Sequence, residues 1–491
     1  MIGTIVLIFG LGGQWLLGIF LADRILAPGL RGKLSLAELI GLGGLFGVGL
    51  TAWCLFVLSF CGVPLGSWPS LSLSLLGYAT GGRWIAAWAG RRQVSLPKPA
   101  APADQREEEA VCRVCLGAIL ILTVACGTRL LQTPQKLWDE RAIFAIKGKV
   151  LFEDGSIRSP TLLHPDFVQY HPRYPLLLPL AEENVYALLG SVDDRLSKVI
   201  FVQLYLGLVL TTAGVMGRHL PRTQAWIGAL LLATLPVLMP YEYGFVCGQA
   251  DAPVGCLHGV SVLYLWDGLR RLSSGSFSAS ALVVAGLCAG MTIFTKDEGL
   301  AFFVVDAAGL GLLALLSFGA LPRFRLLMQA LILFVVSTVA IIAPWLWHRR
   351  GLPLTTEMNY VGRMTITLFF SRLTTLSWSG PHLLRRMFWE WREWGLQWWF
   401  MLAGVLAAPR RALAASQLLL ILDVTGSVAS LLVAGMLAPA QLDEHIGGSS
   451  HRFLMQIAPV AVLFAVSQFS TVAMSRESTM VPSEPAPDAD A

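Results

Sequence analysis

The sequence is poor in charge for its length. Of its 491 residues only 14% are Asp, Glu, Lys or Arg, whereas a soluble domain carries about 25%. Hydrophobic residues make up 55% of the chain, and the mean hydropathy is +0.64. This scarcity of charge excludes an ordinary soluble protein. The net charge of +5 comes from basic residues scattered in ones and twos, which indicates membrane topology rather than a nucleic-acid partner.

Three further features are missing. The N-terminus lacks the basic start of a cleaved signal, and its first apolar run ends at Asp23-Arg24, so this run is predicted to stay as a membrane span. Cys112-x-x-Cys115 has the spacing of a redox or zinc motif, but no second such pair and no nearby His completes a metal set. These cysteines are predicted to pack as small hydrophobic residues. No internal repeat is found.

What the chain does contain is a series of apolar runs, each near the roughly 20 residues that cross a bilayer as a helix. Because open sheets leave backbone groups unpaired in lipid, the predicted fold class is all-α, a polytopic transmembrane helical bundle of about 13 spans. The predicted spans are 2–22, 36–60, 69–89, 112–131, 198–217, 224–241, 252–269, 277–294, 299–318, 326–347, 395–408, 414–437 and 453–472.

The segment 175–190 is a borderline further span. Glu182, Glu183 and Asn184 lie at its middle, and a charge at the bilayer centre costs at least about 2.5–3.5 kcal/mol. The segment is therefore predicted to be an interfacial helix on the membrane surface. With the N-terminus outside and the C-terminus in the cytoplasm, most basic residues of the short loops then lie on the cytoplasmic side. The pattern favours the inner, cytoplasmic membrane of a bacterium.

Two long loops, about 132–197 and 348–394, face outside in this topology. The first contains a predicted amphipathic helix over 140–152 that stops at the turn Asp154-Gly155. The second leads into 381–399, where tryptophans alternate with arginines. That mixture is typical of a helix at headgroup depth. Helices on the membrane surface suggest a substrate that itself lies in the membrane.

Composition divides the chain into four parts. Residues 1–90 form accessory N-terminal spans, and 91–111 form a Pro/Ala-rich cytoplasmic linker. Residues 112–472 form the main module, and 473–491 form a polar, Pro-rich cytoplasmic tail. The linker and the tail are predicted to be disordered.

The first candidate for chemistry is the adjacent pair Asp139-Glu140, at the head of the first long loop. Such a pair either takes a proton from a hydroxyl nucleophile or holds a divalent metal ion. The structural alternative is that Asp139 caps the helix that follows.

Further candidates lie in later loops, each with a structural alternative. His171, Arg173 and Tyr174 belong to a Pro-rich tract, where Arg suits a phosphate; the prolines alternatively start the next helix. Asp251 either contacts a sugar hydroxyl or caps its span. Lys296 and Glu298 join two spans, and His451 and Arg452 precede the last one. These residues either bind a lipid phosphate and substrate or anchor the spans at the interface.

Together these motifs resemble the GT-C superfamily of membrane glycosyltransferases, which use polyprenyl-phosphate-linked sugars. Protein O-mannosyltransferases and lipid A aminoarabinose transferases are members. The resemblance covers about 112–472, and residues 1–111 have no counterpart. Its motifs are the acidic pair Asp139-Glu140, the basic Pro-Leu tract, Ala250-Asp251 at the head of a later span, and the turn Thr295-Lys296-Asp297-Glu298-Gly299.

The resemblance implies a sugar transfer from a polyprenyl-phosphate carrier to an acceptor hydroxyl at the outer face, with inversion. Asp139 is the implied catalytic base, with Glu140 beside it. The aminoarabinose transferases have Lys-Pro-Pro-Leu where this chain reads Arg173-Tyr174-Pro175-Leu176, so the basic role passes to Arg173. The implied donor-phosphate residues are Arg173, Lys296, His451 and Arg452, and the implied substrate-binding residues are His171, Tyr174, Asp251 and Glu298.

Partners implied by this interpretation are the lipid-linked donor, a glycan, lipid or protein acceptor, and membrane lipids. No cofactor is certain; a divalent metal, if one is needed, would bind at Asp139 and Glu140. The alternative function is a transporter or flippase for a lipid-linked sugar. Transporters usually place charges near the middle of the membrane, whereas here the predicted spans are nearly free of charge, with Asp306 and Asp423 among the exceptions.

Overall fold

The computed structural model describes residues 2–30, 34–93, 103–239, 243–353, 360–363, 365–438 and 446–480. Within these ranges all regular structure is helical and no strand occurs, as the sequence predicts. The helices of the first part of the chain are α1 (Ile2–Leu30), α2 (Leu36–Phe60), α3 (Ser67–Gln93), α4 (Ala103–Gln132), α5 (Ile146–Asp154), α6 (Pro160–Leu163), α7 (Leu177–Leu189), α8 (Val199–Met216), α9 (Arg222–Ala233), α10 (Asp251–Ser273) and α11 (Ala279–Thr295).

The rest of the chain is also helical, and most of its short helices lie in the second long loop. These helices are α12 (Glu298–Leu316), α13 (Leu321–Arg349), α14 (Tyr360–Arg363), α15 (Ile366–Ser371), α16 (Leu376–Trp389), α17 (Trp391–Trp394), α18 (Gln397–Ala407), α19 (Pro409–Ala412), α20 (Ala415–Leu437) and α21 (Gly448–Met480). A π-helical turn, Asp139–Ala145, leads directly into α5.

Every predicted span contains a helix. Among the described residues, eight helices are long and apolar enough to cross a membrane: α1, α2, α4, α8, α12, α13, α20 and α21. The chain is therefore a polytopic membrane protein. The other predicted spans correspond to α3, α9, α10, α11 and α18, which are shorter or more polar, so the total of 13 stays a prediction.

Helix α10 is more polar than the spans around it. Its polar side chains are tolerated because protein, and not lipid, surrounds the helix. It packs against α8, α11, α20 and α21, and residues 251–269 are all buried. Side chains such as Asp251, His258 and Asp267 therefore meet partners from neighbouring helices instead of lipid. Burial in protein is the usual setting for ionisable side chains at membrane depth.

The segment 175–190, predicted as an interfacial helix, forms α7 and is covered by other helices. Residues 177–188 of α7 are all buried, under α1, α2, α3 and α5. Two of the polar side chains have protein partners: Gln135 donates to Glu182 Oε1 over 2.9 Å, and Asn184 pairs with Gln14. Hydropathy correctly excludes a lipid-exposed span but does not reveal that other helices cover this one.

The N-terminal helices are packed onto the rest of the chain. Trp53 Nε1 donates to the carbonyl of Ile341 over 2.9 Å, and Glu38 pairs with Arg218. Helices α2 and α8 approach each other closely at Gly41. A Cβ atom added to Gly41 would lie only 2.5 Å from the backbone nitrogen of Thr211. Small residues allow this kind of close helix contact in membranes.

Two predicted segments differ from the structure. The linker predicted over 91–111 is shorter, because α3 continues to Gln93 and α4 begins at Ala103; residues 94–102 lie outside the described residues, as does most of the predicted tail, 481–491. The helix predicted over 381–399 is interrupted at Glu390 and Gly395, and Gly395 has a φ of 58°. Trp394 and Trp398 are consequently buried, whereas Trp389 and Trp391 are exposed.

Candidate active site

Arg452 connects two carboxylates that are far apart in the sequence. Its Nη1 lies 2.7 Å from Asp139 Oδ2 in the π-helical turn. Its Nε and Nη2 donate to Asp251 Oδ2 over 3.0 and 2.7 Å. A planar guanidinium can hold both groups at once because its donors form a rigid fork. Neither carboxylate caps its helix, so the capping alternative does not describe either side chain.

Asp251 is also bound from the opposite side. Lys296 Nζ donates to Asp251 Oδ1 over 2.9 Å and lies 2.8 Å from Glu298 Oε1. Gln456 Nε2 donates to Asp251 Oδ1 over 2.8 Å. We call these six residues the Arg452 cluster: Asp139, Asp251, Lys296, Glu298, Arg452 and Gln456.

Local structure explains how the cluster forms. Asp251 is the first residue of α10, where a carboxylate is favoured by the positive end of the helix dipole. Lys296 has an extended backbone between α11 and α12, which turns its side chain toward the end of α10. Arg452 and Gln456 lie one turn apart on α21, on the same face of the helix.

The charges of the cluster do not fully cancel. It contains three carboxylates and two cationic side chains, so one negative charge remains. Burial lowers the pKa of Lys296, but the charges of Asp251 and Glu298 outweigh it and raise the pKa overall. The side chain of Asp251 is fully buried, whereas those of Asp139 and Glu298 are 26% and 34% exposed. The cluster is therefore accessible at these two carboxylates.

Glu140 points away from Asp139. Its Oε2 accepts from the backbone amides of Lys136 and Leu137 over 2.7 and 3.1 Å, and its Oε1 accepts from Gly248 over 2.9 Å. Lys198 Nζ lies 3.5 Å from Oε1. Both oxygens thus have protein partners, and the two carboxylates, predicted as a metal-binding pair, do not converge on one point.

The Pro-rich tract contacts α5 and the end of α13. Lys147 Nζ donates to the carbonyl of His171 over 2.8 Å and lies 5.6 Å from the centre of the Tyr174 ring. Arg173 Nε donates to the carbonyl of Leu352 over 3.3 Å. The backbone of His171 is left-handed, with a φ of 52°. The contacts of this tract thus include α5, the segment after α13 and, through Tyr174 and Phe144, the π-helical turn.

His451 lies beside Arg452 but turns toward α16. Its Nδ1 is 3.1 Å from Arg386 Nη1, and its ring centre is 4.6 Å from that of Tyr243. The guanidinium of Arg452 lies 4.9 Å above the same Tyr243 ring. Tyr243 and Gln456 were not predicted as site residues. Gln456 follows Arg452 by four residues, and this spacing could have indicated that both side chains lie on the same face of α21.

No protein-family model matches the chain, and no curated protein matches it. Solved structures similar to it include those of the Archaeoglobus fulgidus oligosaccharyltransferase. One is tethered with an acceptor peptide (TM-score 0.42, 12% identity, 74% of this chain and 50% of that chain). Another, the archaeal oligosaccharyltransferase AglB, is in complex with an inhibitory peptide and a dolichol-phosphate (TM-score 0.43, 12% identity, 77% of this chain and 52% of that chain).

A third structure of the Archaeoglobus fulgidus oligosaccharyltransferase, in complex with Zn and sulfate, has a TM-score of 0.40 and 12% identity over 73% of this chain and 49% of that chain. The chain spans about half the length of the structures it matches.

Proposed function

We propose that the protein is a membrane glycosyltransferase that moves a sugar from a polyprenyl-phosphate carrier to an acceptor hydroxyl. The observation that carries this proposal is the Arg452 cluster, in which a partly exposed carboxylate, Asp139, is joined through Arg452 and Asp251 to Lys296. A base and two cations are the groups that such a transfer requires, because the carrier phosphate is already a good leaving group.

The transfer is a single displacement that inverts the anomeric carbon. Asp139 accepts the proton of the acceptor hydroxyl as its oxygen forms a bond to the anomeric carbon. The bond between that carbon and the phosphate oxygen breaks, and the electron pair leaves with the polyprenyl phosphate. Lys296 and Arg452 neutralise the departing phosphate. Each cation is already paired with a partly exposed carboxylate. The phosphate can compete with that carboxylate for the cation.

The carrier chain has a suitable place next to Lys296. A groove of about 150 Å³ lies between α11, α12 and α13 and is lined by apolar side chains, among them Ile293, Leu300 and Phe303. Asp297, the residue after Lys296, and its partner Arg349 also line this groove, with their charged atoms 2.8 Å apart. We assign the groove to the isoprenoid chain, because its lining is mostly apolar and includes Asp297, the sequence neighbour of Lys296.

The remaining predicted residues take supporting roles in this proposal. Arg173 and His451 contribute to the phosphate site, and His171 and Tyr174 contribute to substrate binding. Glu140 holds the loop of Asp139 in position through the backbone amides that it accepts from. The site faces the outside of the inner membrane, with the N-terminus outside and the C-terminus in the cytoplasm. Residues 1–90 are an accessory bundle on the catalytic module.

The proposal is tested by Asp139→Asn in the purified, reconstituted full-length protein. The variant is expected to keep the elution volume and melting temperature of the wild type and to lose release of polyprenyl phosphate. Asp166→Asn is the matched control, because Asp166 is 93% exposed in the same loop, and it is expected to retain full turnover. Full activity of Asp139→Asn would refute the role of Asp139 as the base.

A transporter for a lipid-linked sugar is the second candidate, and one observation favours it. His258, Asp306 and Asp423 lie together inside the helical bundle, and buried ionisable groups of this kind occur in transport pathways. Proteoliposomes separate the two functions. A transporter moves the lipid-linked sugar across the bilayer without acceptor, whereas the proposed transferase releases polyprenyl phosphate only when acceptor is present.

A further inference from the structure

A second cluster of ionisable side chains lies beneath the Arg452 cluster. His258 of α10, Asp306 of α12 and Asp423 of α20 each expose 2% or less of their surface. His258 Nε2 is 3.0 Å from Asp423 Oδ1 and 3.7 Å from Asp306 Oδ2. One nitrogen and two carboxylate oxygens of this trio all lie within 4.8 Å of one another. Three separate helices thus bring their polar groups to one point.

The two ring nitrogens of His258 have different neighbours. Nδ1 faces a backbone carbonyl, and Nε2 faces the carboxylates. His258 Nδ1 lies 3.3 Å from the backbone carbonyl of Gln456, and a carbonyl oxygen can only accept, so Nδ1 carries the proton. In the neutral ring Nε2 then presents a lone pair to Asp423 and Asp306. Within the described part of the chain, both oxygens of Asp306 and Oδ2 of Asp423 lack a hydrogen-bond donor. With both carboxylates ionised and the ring neutral, acceptors therefore face acceptors, and either protons or a metal ion must lie between them.

A divalent ion satisfies this site better than protons do. A shared proton bridges only two acceptor atoms. A divalent ion contacts the imidazole and both carboxylates at once, and its charge balances those of the two carboxylates. A neutral sum of charges is what a buried site of low dielectric constant favours. Bonds of about 2.0–2.2 Å to one ion require movements of less than about 1 Å from the observed positions.

The surroundings are those of a metal site. A metal-binding His usually donates its other ring N–H to a carbonyl or carboxylate, as His258 does to Gln456. The ring of Phe302 stacks on His258 with centres 4.3 Å apart and also lies against Phe453, so apolar groups enclose the trio. A mixed imidazole and carboxylate set suits zinc-like transition metals, whereas Mg²⁺ and Ca²⁺ prefer oxygen ligands alone.

We propose that His258, Asp306 and Asp423 form an intramembrane binding site for a zinc-like divalent transition-metal ion. The ion holds α10, α12 and α20 together and fixes the backbone of Gln456. The side chain of the same Gln456 donates to Asp251 Oδ1 over 2.8 Å, so the metal site supports the Arg452 cluster from below. This inference does not depend on the proposed glycosyltransferase activity.

The test uses Zn²⁺ as the probe on full-length protein in detergent. After treatment with EDTA and reloading, the wild type is expected to hold about one zinc per chain by elemental analysis and to melt at a higher temperature with zinc than without it. The double variant Asp306→Asn/Asp423→Asn is expected to lose at least tenfold in zinc content and to show no zinc-dependent shift. Asp166→Asn, on the exposed loop, is the matched control and is expected to bind zinc like the wild type.

X-ray absorption at the zinc edge of the wild type makes the test independent of how well the variants fold. The expected spectrum shows nitrogen and oxygen ligands including an imidazole and no sulfur. Sulfur ligands would place the zinc at cysteines and overturn the proposal. A wild-type protein that binds no zinc after reloading, or a double variant that binds as much as the wild type, would overturn it equally, because the trio would then hold protons.

Discussion

The side-chain amides of Gln14 and Asn184 exchange two hydrogen bonds, each 2.9 Å long, between the first helix of the chain and α7. Both residues are buried, with 2% and 3% of their surface exposed. The pair joins the N-terminal helices to the remainder of the protein through fully satisfied polar groups, which is the condition under which buried amides stabilise a fold.

Replacing both Gln14 and Asn184 is expected to destabilise the protein by less than the sum of the two single replacements. Asn184→Ala leaves the Gln14 amide buried without this partner, which costs about 1–3 kcal/mol of unfolding free energy. The double variant Gln14→Leu/Asn184→Leu is expected to cost less than the sum of the two single changes. Denaturant unfolding in detergent measures both effects. Ser72→Ala, which removes an exposed hydroxyl bonded within its own helix, is the control; additive effects would contradict the pairing.

Glu183 makes stability depend on pH. It lies in α7, outside the membrane-spanning helices, and burial raises its pKa from 4.5 to about 8. Between these values the folded protein holds a proton that the unfolded chain has lost, so the free energy of unfolding falls as the pH rises. The slope is at most about 1.4 kcal/mol per pH unit. Above pH 8 the contribution of Glu183 to stability is lost completely, and the free energy of unfolding no longer falls with pH for this reason.

Glu183→Gln is expected to abolish that part of the pH dependence, because the amide cannot titrate. The stability of the variant relative to wild type should increase from about pH 4.5 to 8 and then stay constant. Melting temperatures across this range provide the measurement. Glu153→Gln, a change at an exposed position, should leave the pH profile of the wild type unaltered. Parallel profiles for wild type and Glu183→Gln would show that Glu183 is already charged.

Arg452→Lys separates charge from geometry in the candidate active site. Lysine keeps the positive charge but lacks the fork that contacts Asp139 and Asp251 together. We expect turnover to fall about 10²-fold, the usual effect of removing one transition-state donor. Steady-state kinetics with a fixed donor gives the value. The matched change Arg385→Lys, at an exposed position, should have no effect, and unchanged turnover in Arg452→Lys would remove Arg452 from the mechanism.

Leu300→Trp tests the assignment of the apolar groove to the carrier chain. The larger ring fills space that the isoprenoid chain would occupy, and the loss of contact with about two methylene groups costs about 1.6 kcal/mol, or roughly a tenfold rise in KM. The rise is expected for long-chain donors and not for donors too short to reach the groove. Leu315→Trp, on the same helix but outside the groove, controls for bulk at the lipid face. Equal changes for long and short donors would exclude the groove.

The sequence anticipates the structure where one local signal dominates. Hydropathy places the helices well; the predicted span 36–60 has the bounds of α2. Loop charges place Asp139, Asp251, Lys296 and Arg452 on one face, and the structure brings these side chains into contact. Charged groups at the ends of spans can meet there because the helices that carry them pack side by side.

Features that depend on tertiary partners were not predictable in the same way. Burial of α7 follows from three N-terminal helices that lie over it, and the hydropathy of 175–190 contains no information about them. The meeting of His258 with Asp423 joins two helices that are distant along the chain. The sequence shows each of these residues as an isolated exception within an apolar run.

Glu140 illustrates how mutational data on this protein should be interpreted. One carboxylate oxygen is shared by the amides of Lys136 and Leu137, and the other is bound by the amide of Gly248. Lys136 and Leu137 precede Asp139, and Gly248 precedes Asp251, so a single side chain sets the spacing between the loops that carry these two carboxylates. An inactive Glu140→Gln variant would accordingly report a misaligned pocket, and its loss of activity would be no evidence for proton transfer by Glu140.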